Sequence, residues 1–226
     1  MLNIGILAGM GPKSTGPFID EVVSQFQQIT GAKDDIDFPP MIIYSLPTPF
    51  YSNRPIDNQA MQKTISKGLI RLESCGVDFI AMPCNTAHVY FDALKKCIHV
   101  PLLNMIDLTV DSIPPTAKKV TILATRATIE SELYQKALEQ RELEFALHPD
   151  WQRQVDEIIA YIKTDKNPSP QILKPLFSEF RAAQMDTLLL ACTDLNVIFR
   201  NQKIPFQIVD SSICLAKAIV NQWRKQ

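Results

Sequence analysis

Short apolar runs alternate along the chain with segments whose apolar residues recur at helical spacing. The first run, IGILA at 4–8, has the length and composition of a buried strand. The segment after it places Phe18, Val22 and Phe26 on one face of a helix. Further strands are predicted at 41–46, 77–82, 101–105, 118–124, 143–148, 187–191 and 206–210, and further helices at 58–75, 85–96, 128–141, 151–163, 171–184 and from 211 onward. This alternation predicts an α/β fold of mainly parallel sheets flanked by helices.

The two halves of the chain repeat the same local pattern. IGILAGMGPKST is echoed by VTILATRATIES, and DFIAMPCNTAH is echoed by DTLLLACTDLN. The second pair puts a cysteine directly after a strand in each half, and open α/β sheets bind ligands at the carboxyl ends of their strands. We therefore expect two similar Rossmann-like lobes, residues 1–104 with 209–226 and residues 105–208, which exchange chain near 104–108 and 208–211.

Composition narrows the range of functions. The chain has 226 residues, a net charge of -1 and no basic stripe, which argues against nucleic acid or an anionic membrane as a partner. The amino terminus has no charged segment ahead of its short apolar run, and no apolar run is long enough to span a bilayer. These features favour a cytoplasmic protein.

The loop after the first strand, Gly9-Met10-Gly11-Pro12-Lys13-Ser14, suggests nucleotide binding but fails both nucleotide motifs. A dinucleotide fingerprint needs glycine where Ser14 stands, and a phosphate-binding loop needs glycine where Pro12 stands. The two glycines still allow backbone N–H groups at a helix start to approach a small anion. A tight turn with no ligand is equally compatible with this segment.

Two of the five cysteines share a distinctive setting. Cys84 and Cys192 each follow a buried strand and precede a predicted helix, whose N-terminus would lower the pKa of a thiol from about 8.5. Cys75 and Cys214 are expected to pack in the interior. The odd number of cysteines argues for free thiols.

Other chemistries of these cysteines are less consistent with the sequence. A zinc site at Cys84 with His88, or at Cys97 with His99, lacks a second ligand pair at structural spacing. A cysteine hydrolase using Cys84 and His88 leaves Cys192 without a role.

Two thiols suit the inversion of a stereocentre by proton transfer. A thiolate removes the proton from one face of the carbon while a thiol supplies one to the other face, and the pair shares its protonation. Amide and hydroxyl donors could stabilise the carbanion-like transition state. Asn85, Thr86, Thr125 and Thr193 are candidates, although Asn and Thr at such positions also cap helices.

The chain resembles the aspartate/glutamate racemase family over essentially its whole length. The motifs that carry the resemblance are GMGP, MPCNTAH, ACTDL and LATRATIESELYQ. The resemblance is strongest to its aspartate-racemase and broad-specificity branch. It implies pseudo-symmetric lobes with the active site in the cleft between them, a homodimer, and racemisation without pyridoxal phosphate or metal.

The resemblance also assigns residues. Cys84 and Cys192 match the catalytic pair, and the positions that line the substrate match Met10, Gly11, Asn85, Thr86, Thr125 and Thr193. Arg54 and Lys163 resemble the cationic groups that hold carboxylates, or they are solvated surface charges. The second motif departs from the family in Ala191 and Asp194, where Gly and Glu are usual.

The function expected from the sequence is therefore racemisation of aspartate or glutamate. A broad-specificity amino-acid racemase, a maleate isomerase and a hydantoin racemase are alternatives within two-cysteine chemistry. A non-catalytic amino-acid-binding protein is the alternative of another class, and it would bind one enantiomer without exchanging the α-proton.

Overall fold

The computed structural model of the protein describes residues 2–51, 54–164, 169–199 and 204–225, without the side chains of Lys163, Pro170 and Val197. The chain forms two compact units. The first comprises Met1–Met105 with Ser212–Gln226, and the second comprises Ile106–Ser211. Both are built from a parallel sheet with helical connections, and the expected α/β fold is confirmed.

The first unit contains a parallel sheet in the order β2-β1-β3. Its central strand is buried at every residue because strands pair with it on both sides. Parallel pairing requires a crossover between successive strands, and one long helix provides each crossover. The strands are β1 (Ile4–Ala8), β2 (Met41–Ser45) and β3 (Phe79–Ala81), and the helices are α1 (Thr15–Thr30), α2 (Asn58–Glu73) and α3 (Phe91–Leu94).

The second unit contains a parallel sheet in the order β4-β5-β6. Here β5 is the central strand, and it too is buried throughout. The strands are β4 (Val120–Ala124), β5 (Thr187–Ala191) and β6 (Gln207–Asp210). The helices are α4 (Met105–Asp111), which begins on the last residue of the first unit, α5 (Arg126–Glu130), α6 (Leu133–Glu139), α7 (Pro149–Thr164), α8 (Lys174–Ala182), α9 (Asn196–Phe199) and α10 (Ser211–Trp223), which returns to the first unit.

A fourth chain segment joins each sheet through a single parallel bridge. Ile80 pairs with Leu102 in the first unit, and Val120 pairs with Phe145 in the second. The strands predicted at 101–105 and 143–148 are therefore wrong in extent, because each segment bonds to the sheet on both sides of one residue only. With these bridges included, both units have the same order of chain segments, second-first-third-fourth.

Several predicted helices are shorter than expected. The segment 85–96 is a 3-10 helix over 86–90 followed by α3, and 171–184 is a 3-10 helix over 170–173 followed by α8. The segment 128–141 is divided into α5 and α6 at Glu132, whose φ of 57° is left-handed. Apolar spacing does not distinguish a continuous α-helix from shorter helical turns that bury the same face.

Among the described residues, every helix is too short or too polar to cross a membrane.

Candidate functional site

The carboxyl ends of β1, β2 and β3 open onto one edge of the first sheet, since all three strands are parallel. The loop after β1 approaches β2 there at Gly9, whose φ is 92°. A Cβ at Gly9 would lie 2.5 Å from the backbone nitrogen of Leu46. The loop is fixed by two side chains: Thr15 accepts a hydrogen bond from the N–H of Gly9 at 3.1 Å, and Ser14 donates to the carbonyl of Gly11 at 2.9 Å. Met10 and Gly11, both half-buried, therefore belong to a constrained loop at this edge.

Cys84 lies at the same edge, three residues after β3. Its N–H donates to the carbonyl of Met82 at 2.8 Å, and its half-buried side chain packs against the apolar cluster of the first unit. Asn85 is buried and makes no capping hydrogen bond with its side chain. Thr86 is half-buried and begins the 3-10 helix. The amide of Asn85 is therefore not explained by helix capping.

The helical segment after Cys84 is shorter than the sequence predicts, which weakens the helix-dipole argument for this cysteine. Cys84 precedes a 3-10 helix of five residues and an α-helix of four. Cys192 precedes a 3-10 helix of three residues and α9, which reaches the end of the described range at Phe199. A macrodipole grows from aligned peptide units, and the two short segments after Cys84 supply less of it than the continuous helix over 85–96 expected from the sequence.

His88, four residues after Cys84, is held by two backbone groups. Its Nδ1 lies 2.8 Å from the carbonyl oxygen of Cys84, and its Nε2 accepts a hydrogen bond from the N–H of Met105 at 3.0 Å. The imidazole is 2% exposed and stacks on Phe91 with an interplanar angle of 7°. Both ring nitrogens are thus used by the backbone, which contradicts a Cys84–His88 hydrolase dyad, because that dyad needs a ring nitrogen to take the thiol proton.

Tyr90 is a further polar group near Cys84. Its hydroxyl donates to Oδ1 of Asn58 at 2.6 Å. Burial raises the pKa of Tyr90, and the negative charges of Asp57 and of the Cys84 thiolate raise it further. The phenol therefore stays protonated around neutral pH and keeps its hydrogen bond to Asn58.

Cys192 directly follows β5 at the carboxyl edge of the second sheet. Its backbone is extended, with φ of -146° and ψ of 118°, and its side chain is 6% exposed within the apolar cluster of that unit. Thr193, which is also buried, starts the 3-10 helix that follows. Cys192 is thus more deeply buried than Cys84.

Thr125 follows β4 at the same edge of the second sheet. Its Oγ1 caps α5 by accepting from the N–H of Thr128 at 3.3 Å. The carbonyl of Ala124, just before it, accepts from Nε2 of Gln152 at 3.1 Å, and that amide also donates to Asp156 at 2.7 Å. Arg126, just after Thr125, forms an ion pair with Asp156. A network centred on Asp156 therefore holds both neighbours of Thr125.

The two proposed cationic groups are Arg54 and Lys163. Arg54 is exposed, and its guanidinium carbon lies 4.8 Å from the centre of the Tyr51 ring. Lys163 belongs to α7, but its side chain lies outside the described residues.

The remaining cysteines differ from one another. Cys214 is buried, as expected, but Cys75 is exposed, so the expectation that it packs in the interior is wrong. Cys75 lies beyond the end of α2, and its thiol donates to the carbonyl of Arg71 at 3.3 Å. Within the described ranges, no cluster of three His, Cys, Asp or Glu side chains could hold a metal ion.

Sequence reasoning missed the backbone contacts of His88 and the network around Asp156. The helical spacing of Cys84 and His88 could have suggested the first contact, because a side chain at that spacing reaches back to the carbonyl four residues earlier. Nothing in the sequence pairs Gln152 with Ala124.

Comparison with known proteins identifies the family. The family model of the Asp/Glu/hydantoin racemases matches residues 7–219. The chain is 46% identical over 221 residues to the broad-specificity amino-acid racemase RacX of Bacillus subtilis (strain 168), covering 97% of each chain. The structure of Picrophilus torridus aspartate racemase superposes with a TM-score of 0.84 and 30% identity, covering 98% of this chain and 94% of that one.

A more distant structure has the same fold. Glutamate racemase from Francisella tularensis, in complex with D-glutamate, superposes with a TM-score of 0.72 at 18% identity, covering 99% of this chain and 81% of that one. The matched motifs, the shared fold and the near-complete coverage agree, and the chain belongs to the Asp/Glu/hydantoin racemase family.

Proposed function

We propose that this protein racemises amino acids by moving a proton between Cys84 and Cys192, without pyridoxal phosphate or a metal ion. The observation that carries the proposal is the equivalent placement of the two thiols. Cys84 follows β3 and Cys192 follows β5, and these are the third-placed segments of two sheets with the same segment order. Membership of a racemase family supports the same chemistry.

The proposed step balances without a co-reactant. The thiolate of one cysteine removes the α-proton and breaks the C–H bond, and the thiol of the other cysteine forms a new C–H bond on the opposite face. The first thiolate becomes a thiol and the second thiol becomes a thiolate. The reverse reaction uses the same groups with their roles exchanged, so both enantiomers are substrates.

Polar groups beside each thiol would bind the amino acid and stabilise the carbanion-like transition state. Asn85 and Thr86 are beside Cys84, and Thr193 is beside Cys192. Thr125 and the loop at Met10 and Gly11 lie at the carboxyl edges of the two sheets. We propose these residues as substrate contacts, because donors fixed in advance stabilise developing charge without reorganising during the reaction.

Two substrate ranges are open to this site. Aspartate and glutamate are our first candidates, with Arg54 and Lys163 as partners of the second carboxylate. A broader set of amino acids is the second candidate, and the 46% identity to a relative named as a broad-specificity racemase favours it. The two ranges differ in whether a neutral amino acid is inverted as fast as aspartate.

The test is racemisation in deuterated buffer. The reduced protein would be incubated with L-aspartate, L-glutamate and a panel of neutral and basic L-amino acids, with EDTA present and no added pyridoxal phosphate. Chiral chromatography with mass detection would follow inversion and deuterium uptake at the α-carbon. We expect both to occur together for at least one amino acid, and the best substrate separates the acidic from the broad range.

Matched variants test the assignment of the thiols. Cys84→Ala and Cys192→Ala should each abolish inversion, whereas Cys75→Ala, in an exposed cysteine, should leave it unchanged. Absence of inversion and exchange for every amino acid, in a folded protein, would reject the proposal. Full activity of either site variant would reject the two-thiol mechanism.

We further propose that the active form is a homodimer. A species at twice the chain mass of 25.5 kDa in sedimentation analysis is the expected result, and a monomer with full activity would contradict it.

A further inference from the structure

We infer that His88 is a positioning residue for Cys84, acting as a neutral clip between the carbonyl of Cys84 and the N–H of Met105. The inference rests on the proposed function only in that it takes Cys84 as a reacting thiol. The contacts of His88 stand independently of which reaction the thiol performs.

The two hydrogen bonds determine the tautomer of the imidazole. A carbonyl oxygen only accepts, so Nδ1 must carry the proton in its 2.8 Å contact with Cys84. A backbone N–H only donates, so Nε2 must present its lone pair to Met105 at 3.0 Å. The ring is therefore the neutral Nδ1–H tautomer, and an imidazolium would lose the acceptor that Met105 requires.

The surroundings keep the ring in this orientation. His88 is almost completely buried, and Phe91 stacks on it with ring centres 5.6 Å apart. A flipped or rotated ring would leave a backbone carbonyl and a backbone N–H without these partners in an apolar environment, which is costly for each group. The clip is thus rigid.

The two hydrogen bonds of His88 connect two points of the chain. One is the peptide group of Cys84 itself, whose carbonyl carbon is bonded to the Cα that carries the thiol. The other is Met105, the first residue of α4 and the residue after which the chain passes into the second unit. Proton transfer between carbon and sulfur tolerates little displacement, since an error of about 1 Å in a reacting group can cost about a hundredfold in rate.

Two amide substitutions separate the two bonds. In His88→Asn the side-chain N–H can occupy the place of Nδ1–H and donate to Cys84, while the bond to Met105 is lost. In His88→Gln the side-chain oxygen can occupy the place of Nε2 and accept from Met105, while the bond to Cys84 is lost. His88→Ala loses both bonds, and the melting temperature of each variant reports the purely structural contribution.

Positioning of Cys84 predicts a specific order of activities. His88→Asn should keep kcat within about threefold of the natural protein, whereas His88→Gln and His88→Ala should lower kcat by about tenfold or more with KM nearly unchanged. Equal kcat for the Asn and Gln variants, or an unchanged kcat in His88→Ala, would overturn the inference. A role confined to capping α4 would instead make His88→Gln the better variant.

Two readouts do not depend on racemase activity. The first is the alkylation rate of Cys84 by iodoacetamide in the Cys192→Ala background, which should rise at least about fivefold in His88→Gln and stay near its parent value in His88→Asn. The second is the tautomer of His88 in the natural protein, read from long-range proton–nitrogen NMR correlations and assigned with His88→Asn among three histidines.

An Nε2–H tautomer in the natural protein would overturn the inference even if every variant folds poorly or the natural protein inverts no amino acid. Equal alkylation rates in Asn and Gln variants that keep the melting temperature of their parent would also overturn it. Failure of the proposed function would appear separately, as a natural protein without α-proton exchange whose His88 nevertheless has the Nδ1–H tautomer.

Discussion

Gly9 passes so close to Leu46 that a Cβ on Gly9 would lie 2.5 Å from the backbone nitrogen and 2.8 Å from the backbone oxygen of Leu46. Leu46 is fixed in turn, because its N–H donates to the carbonyl of Ala8 at 2.9 Å. Gly9→Ala must therefore displace backbone at the carboxyl edge of the first sheet. We expect it to lower the free energy of unfolding by about 2–4 kcal/mol, measured by urea denaturation.

Gly31→Ala is the matched control for this prediction. Gly31 also has a positive φ, 77°, but no atom lies within 4 Å of its Cβ position. Gly31→Ala should lower the free energy of unfolding by only about 1 kcal/mol, because only the left-handed conformation opposes the new side chain. Equal costs for the two substitutions would show that the close approach at Leu46 is unimportant.

Glu73 makes the free energy of unfolding depend on pH in the acidic range. The N–H of His99 chiefly, and that of Val100, hold the pKa of Glu73 below its ordinary value of 4.5, while burial opposes them. A lowered folded pKa gives stability that is complete above the unfolded pKa and is lost as pH falls through the folded pKa. Glu73→Gln should therefore cost about 1 kcal/mol at pH 7 and progressively less below about pH 4.5.

Thermal unfolding at several pH values measures this difference. Glu132→Gln is the control, since Glu132 forms an exposed ion pair with Lys136 at 3.2 Å. That substitution should change stability by less than about 0.5 kcal/mol at every pH. A difference in melting temperature between Glu73→Gln and the natural protein that stays constant down to pH 3 would contradict a stabilising role of the Glu73 carboxylate.

Gln152 should affect substrate binding through Thr125. Gln152→Leu removes the hydrogen bond to Ala124, the residue before Thr125. Because Thr125 is a proposed substrate contact, we expect KM to rise about three- to tenfold, the equivalent of one neutral hydrogen bond, with kcat little changed. Steady-state kinetics would measure both constants.

Gln154→Leu controls for the loss of an amide from α7. Gln154 donates to Glu179 at 2.7 Å, in a contact that does not involve Thr125 or its neighbours. Its KM should match that of the natural protein. The same rise in KM for both substitutions would mean that α7, and no particular contact to Ala124, is responsible.

Arg54 should matter for acidic substrates only. Arg54→Leu removes a guanidinium held over Tyr51, and we expect the KM for aspartate to rise about tenfold while that for alanine stays constant. Arg71→Leu is the control, because Arg71 lies 5.3 Å from the ring centre of Tyr44 in a similar contact. Equal effects of Arg54→Leu on both amino acids would reject a role in binding the second carboxylate.

The fold could be predicted where burial is continuous. IGILA and TLLLA are apolar at nearly every position because they are central strands of parallel sheets, and this pattern is visible in the sequence. The segments around Leu102 and Phe145 could not be delimited, because each bridges to its sheet at that single residue. A run of apolar residues does not reveal how many of them find a backbone partner.

The candidate site was predictable in its chemistry and less so in its local structure. The repeated placement of Cys84 and Cys192 after strands is a sequence signal, whereas the replacement of the continuous helix after Cys84 by a 3-10 helix and one short α-helix is not. The partner of His88 is a backbone amide 17 residues away, and a backbone amide has no sequence signature. Contacts of this kind depend on the folded path of the chain.

The most direct test of the two-thiol mechanism is α-proton exchange by each single-cysteine variant. With Cys84→Ala and Cys192→Ala in deuterated buffer, each enantiomer of the best substrate would be followed separately for deuterium uptake without inversion. One remaining thiol reaches one face of the α-carbon, so we predict that the two variants exchange opposite enantiomers. Exchange of the same enantiomer by both variants, or inversion by either, would contradict the assignment of Cys84 and Cys192 as the two bases.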